Sequence, residues 1–126
     1  MSDKYRGSRE YFLIYSELIN AARYRGTVTF QELADLVGLP LIGNYMGTEL
    51  GWYLGTISED EVKEHGRPML SALAITVEGK PGDGFFGLAR DLGKLTSDHQ
   101  SDQRAFWEAE KRAVYQTWQR SFGKPK

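Results

Sequence analysis

The chain has 126 residues, with 16 basic against 17 acidic side chains and a net charge of −1. Hydrophobic residues make up 40% and charged residues 26%, ordinary usage for a single globular domain. Cysteine is absent, which excludes disulfides, a thiol nucleophile and thiolate metal sites, and the balanced charge argues against a general polyanion binder.

The polar start MSDKYRGSRE has no signal-peptide core, and no apolar run reaches the roughly 20 residues that cross a bilayer. A cytoplasmic location without membrane contact is the expectation. Over residues 8–24 the pattern is helical. Phe12, Tyr15, Ile19 and Ala22 share one stripe, with Tyr11, Ile14 and Leu18 beside it, Ser8 as N-cap and Gly26 at C′. Thr27–Thr29 reads as a short strand. Thr29 and Glu32 then form a capping box for a short helix with Leu33, Ala34 and Val37 on its apolar face and Gly38 at its end.

Gly43, Gly47, Gly51 and Gly55 recur every four residues, one smooth ridge on a helix. Interior glycine costs about 1 kcal/mol relative to alanine, so the ridge needs an offset. Close packing within the chain and a helix–helix seam with a second copy both supply one. Ser58 and Glu61 suggest a second capping box and a separate acidic helix ending by Gly66. Pro68 forces an extended entry to the apolar run Met69–Val77, which reads as a buried strand. Three glycines and a proline within residues 79–84 make a turn. Leu88, Ala89 and Leu92 follow as a short helix or strand. Residues 94–101 read as a linker. Residues 102–122 form an aromatic helix carrying Trp107, Tyr115, Trp118 and Phe122.

Three helices followed by a β-hairpin give the fold class: α+β, a small winged-helix-like core over residues 8–93 with an added C-terminal helix, one domain in all. The run RGTVTFQELADLVGLP resembles the start of the winged-helix domain of alkylguanine-DNA alkyltransferases and their alkyltransferase-like relatives. MGTELGWYLGTI and GRPMLSALAI stand where that family has its recognition helix, active loop and strand. The resemblance spans roughly residues 10–85 and implies architecture only. The family's acceptor cysteine and the following His-Arg pair are missing, since Pro68 is followed by Met69, Leu70 and Ser71. The arginine inserted into DNA from the recognition helix is missing too.

A winged helix presents its second and third helices to a DNA groove. Non-catalytic nucleic-acid binding is therefore the leading functional expectation. Asn44, Tyr45 and Thr48 would reach bases or phosphates, Lys80 would sit on the wing, and Arg23 and Arg25, with Arg6 and Arg9, would contact phosphate. The acids Glu49, Glu59, Asp60, Glu61 and Glu64 would repel a backbone. The alternative is a protein-interaction or adaptor domain, with a protein partner or a homodimer. Its interface would use Gly43, Gly47, Gly51 and Gly55 or the aromatic pair Trp107 and Trp118, since aromatic residues are enriched in interface cores. A more remote alternative is a metal-dependent nuclease through Glu78-Gly79-Lys80, with Asp60, Glu61 or Glu64 as second acid. His65 reads as a helix-end cation and His99 as a solvated residue. Ser71 lacks a nucleophile-elbow context, and Gly82-Asp83-Gly84 lacks the spacing of a phosphate-binding loop. No catalytic residue, metal or cofactor is expected.

Overall fold

A computed structural model of the chain describes residues 5–40 and 45–119. Over the described residues it is an α+β domain of five helices and two short strands packed around a buried 3₁₀ turn. Helix α1 (Arg9–Arg23) starts at Ser8, whose side chain accepts the Tyr11 N–H at 3.1 Å, the N-cap its position implies. The core takes the stripe Tyr11, Ile14, Leu18 and Ala22, while Phe12 on the neighbouring stripe is 59% exposed. At the C-terminal end Arg25, not glycine, adopts the left-handed conformation (φ 59°). Gly26 stands one position later, and its N–H closes onto Ala21 O at 2.8 Å.

Strand β1 (Val28–Thr29) leads directly into α2 (Phe30–Val37). Both halves of the Thr29/Glu32 capping box are present, and Gly38 ends the helix at φ 77°. Helix α3 (Tyr45–His65) is one uninterrupted element of 21 residues, about 32 Å long at 1.5 Å per residue. Ser58 therefore caps nothing. It is fully buried inside α3 and turns its hydroxyl to the core, because no proline breaks the helix and Leu54 and Ile57 keep that face apolar.

The run after Pro68 is buried, as expected, but it is not a nine-residue strand. It forms the 3₁₀ turn Leu70–Leu73 and then the two-residue strand β2 (Ala74–Ile75). Apolar runs without periodicity leave helix and strand undecided, and here both occur in sequence. β2 pairs in parallel with β1, Val28 opposite Ala74 and Thr29 opposite Ile75. The expected hairpin wing reduces to a tight turn over residues 76–80. It is closed by the Thr76 N–H to Lys80 O (2.8 Å), with a single bridge between Ile75 and Pro81. Pro81 has no N–H to extend the ladder, and the chain leaves it for α4 (Phe85–Asp91).

Helix α5 (Gln100–Trp118) is part of the core rather than an appendage. Residues 94–99, read above as part of a linker, are tied to it: Leu95 is buried, and Lys94 Nζ lies 2.8 Å from Glu110 Oε2. The same Glu110 oxygen accepts the Met69 N–H (2.9 Å), and Trp107 Nε1 donates to Ala72 O (2.9 Å). From the other side, Ser58 Oγ in α3 accepts the Ser71 N–H at 3.0 Å. Ile14, Leu18, Leu33, Leu50, Ile57, Leu70, Leu73 and Val114 form the main apolar cluster. A second cluster joins Met69, Ala72, Phe85, Ala89, Leu95 and Trp107. Glu110→Ala should lower unfolding free energy by about 2–3 kcal/mol, since a buried N–H and an ammonium lose a charged acceptor. Chemical denaturation measures this, and a loss near zero would show that α5 does not secure the turn.

Candidate binding groove

One face of α3 is left uncovered by the other described residues. Gly47, Gly51 and Gly55 form the floor of a groove of about 960 Å³ between α3 and the segment from β2 to α4. Phe30, Trp52, Gly82, Gly84 and Gly87 also line it. A Cβ built at Gly47 or Gly51 would meet nothing within 4 Å. Among the described residues no neighbour packs on these two positions. Gly82 is different: a Cβ there would come within 2.5 Å of the Phe30 ring tip, so glycine lets this wall close on α2. Trp52 is 44% exposed and stacks on the buried Tyr5, ring centroids 6.0 Å apart and 11° from parallel.

The groove is apolar with few polar groups. Thr48 and Thr76 lie along it, and Ser71 borders it. Asp83 and Asp91 line it as well, and among the described residues no Lys or Arg does. A lining that is mostly apolar, with a few placed polar groups, is the usual form of a ligand site, and its volume falls in that range.

The residues expected to touch a ligand are dispersed. Thr48 is exposed in the groove. Gly43 and Asn44 lie outside the described residues, and Tyr45 begins α3. Lys80 is exposed on the turn 76–80 but does not line the groove. The arginines do not gather into one patch. Arg6 is bound to Asp60 and Glu59, at 2.9 and 3.1 Å. Arg9 and Arg23 stand at opposite ends of α1, about 21 Å apart along a helix rising 1.5 Å per residue. Arg25 Nη2 donates to Gln119 Oε1 at 3.1 Å. Of the aromatic pair, Trp107 is 4% exposed and taken up by the chain's own core, with Lys111 Nζ 3.9 Å above its ring. Trp118 is half-buried under the Arg67 guanidinium, 4.7 Å from the ring centroid. The aromatic helix thus turns these two rings inward.

The acids named for metal chemistry serve a different role. Glu61 is fully buried and receives two bonds from Arg67, 2.7 and 2.8 Å, and one from the Tyr15 hydroxyl. Asp60 accepts from Arg6 and from the Tyr11 hydroxyl. Glu78 accepts from Thr76 Oγ1 within its own turn at 3.2 Å. Among the described residues no group of three or more His, Asp or Glu side chains is placed to hold a metal ion. His65 is the exposed last residue of α3, and His99 precedes α5.

Sequence reasoning singled out the glycine period but missed Phe30, Trp52 and Gly82 as groove walls. The glycines at 82, 84 and 87 facing those at 47, 51 and 55 were the available signal. Comparison of the chain with protein-family models, with curated proteins and with solved structures yields no match.

Burial, together with the bond to Asp60 or Glu61, pushes the Tyr11 and Tyr15 phenols above the ordinary tyrosine value near 10. A folded-state pKa raised above the unfolded one gives stability that is complete below pH 10 and lost as pH rises through the folded value. Urea midpoints of the wild type should therefore fall from about pH 10 upward. The Tyr11→Phe/Tyr15→Phe variant should fall less steeply over the same window, and parallel curves would rule out this source of alkaline lability.

Proposed function

We propose that the protein is a non-catalytic interaction module that takes a segment of a partner protein into the groove on the glycine face of α3. One observation carries the reading: a large apolar groove floored by glycine, with carboxylates on its rim and no cation lining it among the described residues. Glycine at 47 and 51 weakens α3 by about 1 kcal/mol each, and no packing by the other described residues returns that. Function at the expense of stability is a familiar reason for such positions. Backbone-deep access along a helix suits an extended chain whose side chains need room.

Nucleic-acid binding is the second reading. The exposed Trp52 beside a glycine floor favours it, because an unstacked base packs on an aromatic plane. The order α1, β1, α2, α3 supports a helix–turn–helix half of a winged-helix-like unit, in line with the resemblance noted above. Charge weighs against it. Phosphate contact supplies most non-specific affinity, whereas Arg6, Arg67, Lys63, Lys94 and Lys111 are paired with acids and the groove rim is acidic. No helix among the described residues is long and apolar enough to cross a membrane.

Gly51→Ala should stabilise the fold by about 1 kcal/mol through helix propensity and leave ligand binding intact. Gly51→Leu should fold equally well and fill the groove. The test selects peptides from a displayed random library on the wild type, then measures the selected peptides on both variants. In parallel, fluorescence anisotropy follows labelled duplex and oligo-dT DNA at low and high salt on the wild type and Lys80→Glu. Peptides retained by Gly51→Ala and lost by Gly51→Leu are the expected result. Salt-sensitive DNA binding that Lys80→Glu abolishes, with no peptide depending on Gly51, would replace this reading with the nucleic-acid one.

A further inference from the structure

We infer that residues 5–8 form a strap that keeps the groove open by holding the Trp52 indole away from the glycine face of α3. When the strap lets go, the indole swings over that face and covers it. The gate acts on the groove's shape, whatever the groove takes.

The strap is tied to α3 at two points. Tyr5 is 6% exposed. Its ring lies parallel to that of Trp52 (centroids 6.0 Å apart, 11°) and edge-on to Tyr53 (4.9 Å, 88°). About two turns further along α3, Arg6 forks onto Asp60 (Nε to Oδ1, 3.0 Å; Nη2 to Oδ1, 2.9 Å) and reaches Glu59 Oε1 at 3.1 Å. Behind these ties the chain turns back at Gly7, which takes φ 79°. Ser8 Oγ donates to Tyr5 O at 2.9 Å and accepts the Tyr11 N–H at 3.1 Å, so the strap runs directly into the N-cap of α1.

Trp52 stands on the boundary between strap and groove. It stacks on Tyr5, yet it is exposed and lines the groove. A helix advances about 100° per residue, so Tyr53 lies to one side of Trp52 and Thr48, Gly51 and Gly55 lie to the other. The strap holds the Tyr53 side. On the other side nothing bulky stands in the way: a Cβ at Gly51 would meet nothing within 4 Å, and Thr48 is exposed. A helical side chain leans over the preceding turn, which for Trp52 is the turn of Thr48. Without Tyr5 one face of the indole loses its apolar cover. Rotation about its own side-chain bonds brings it onto the apolar lining of the groove, which restores that cover. Stacking on Tyr5 is what keeps it off the glycines.

The chain has no cysteine, so one introduced thiol is the only thiol present. Thr48→Cys places it in the groove, and its reaction rate with the disulfide reagent dithiobis(nitrobenzoate) reads access to the glycine face. In this background Tyr5→Ala should slow the reaction about fivefold, the indole then covering the thiol about four-fifths of the time. Arg6→Ala should slow it about twofold, and Tyr5→Phe, which keeps the ring, should match the parent. Adding Trp52→Ala to Tyr5→Ala should restore the parent rate. Loosening of the fold would speed the reaction, so slowing separates closure from unfolding. A parent-like or faster rate in Tyr5→Ala overturns the inference, as does slowing that persists after Trp52→Ala or is equally large in Tyr5→Phe. A parent rate in Arg6→Ala overturns the second tie. None of these rates involves a peptide, so they stand or fall apart from the protein-binding reading.

Discussion

The 3₁₀ turn Leu70–Leu73 lies where α1, α3 and α5 meet, and all four of its residues are buried. Irregular backbone normally runs over the surface, because its N–H and C=O groups lack the partners that helices and sheets supply. Here the partners are side chains sent in by the surrounding helices. Ser58 of α3 takes the Ser71 N–H, Glu110 of α5 takes the Met69 N–H, and Trp107 gives its indole hydrogen to Ala72. Each of these polar groups is fixed by the packing of its own helix. Removing one would leave a desolvated backbone group at the centre of the molecule, so the turn positions α3 and α5 as much as they position it. Lys94 completes the arrangement by balancing the buried charge of Glu110.

That fixed centre is what leaves α3 with a free face. One side of the helix carries Leu50, Tyr53, Leu54 and Ile57 into the core, and Glu61 continues that side with Arg67 and Tyr15 around it. Between the glycine side and the segment from β2 to α4 lies the groove. The single-bridge turn after β2 and the close approach of Gly82 to Phe30 keep that segment at a distance rather than folding it onto α3. The groove is thus a consequence of where the chain is tied. Its rigidity comes from helices already secured elsewhere, which favours binding without rearrangement of the backbone.

Local signals were legible in the sequence and long-range ones were not. Ser8, the Thr29/Glu32 pair and Gly38 mark helix ends through bonds that span three to five positions, and all three stand where their residue types indicate. Ser58 carries the same local signal as Thr29, yet its partner is Ser71, 13 residues away, and nothing at position 58 announces that. Tyr11 and Tyr15 read as members of an apolar stripe. Their hydroxyls belong to Asp60 and Glu61, 49 and 46 residues distant. The ridge of glycines was visible by spacing alone, but spacing says only that a face is smooth. Whether a helix, a second chain or open space lies above it is decided by β2 and α4, whose course depends on Pro81 and Gly82. The aromatic residues of α5 allowed either packing on the chain's own core or a surface for a partner, and spacing does not choose between them. Burial of Trp107 follows instead from a carbonyl at position 72 that needed a donor.

The bonds from Glu110 and Trp107 reach back 41 and 35 residues along the chain. During synthesis, α1, α2, α3 and the turn all emerge before the groups that complete the turn exist. A nascent chain ending short of residue 107 carries two backbone groups with no partner, and the apolar cluster around Met69 and Phe85 lacks its lid. Closure of the core therefore waits for α5. A growing chain of this protein stays open at its centre until that helix has left the ribosome, and its apolar turn is exposed until then.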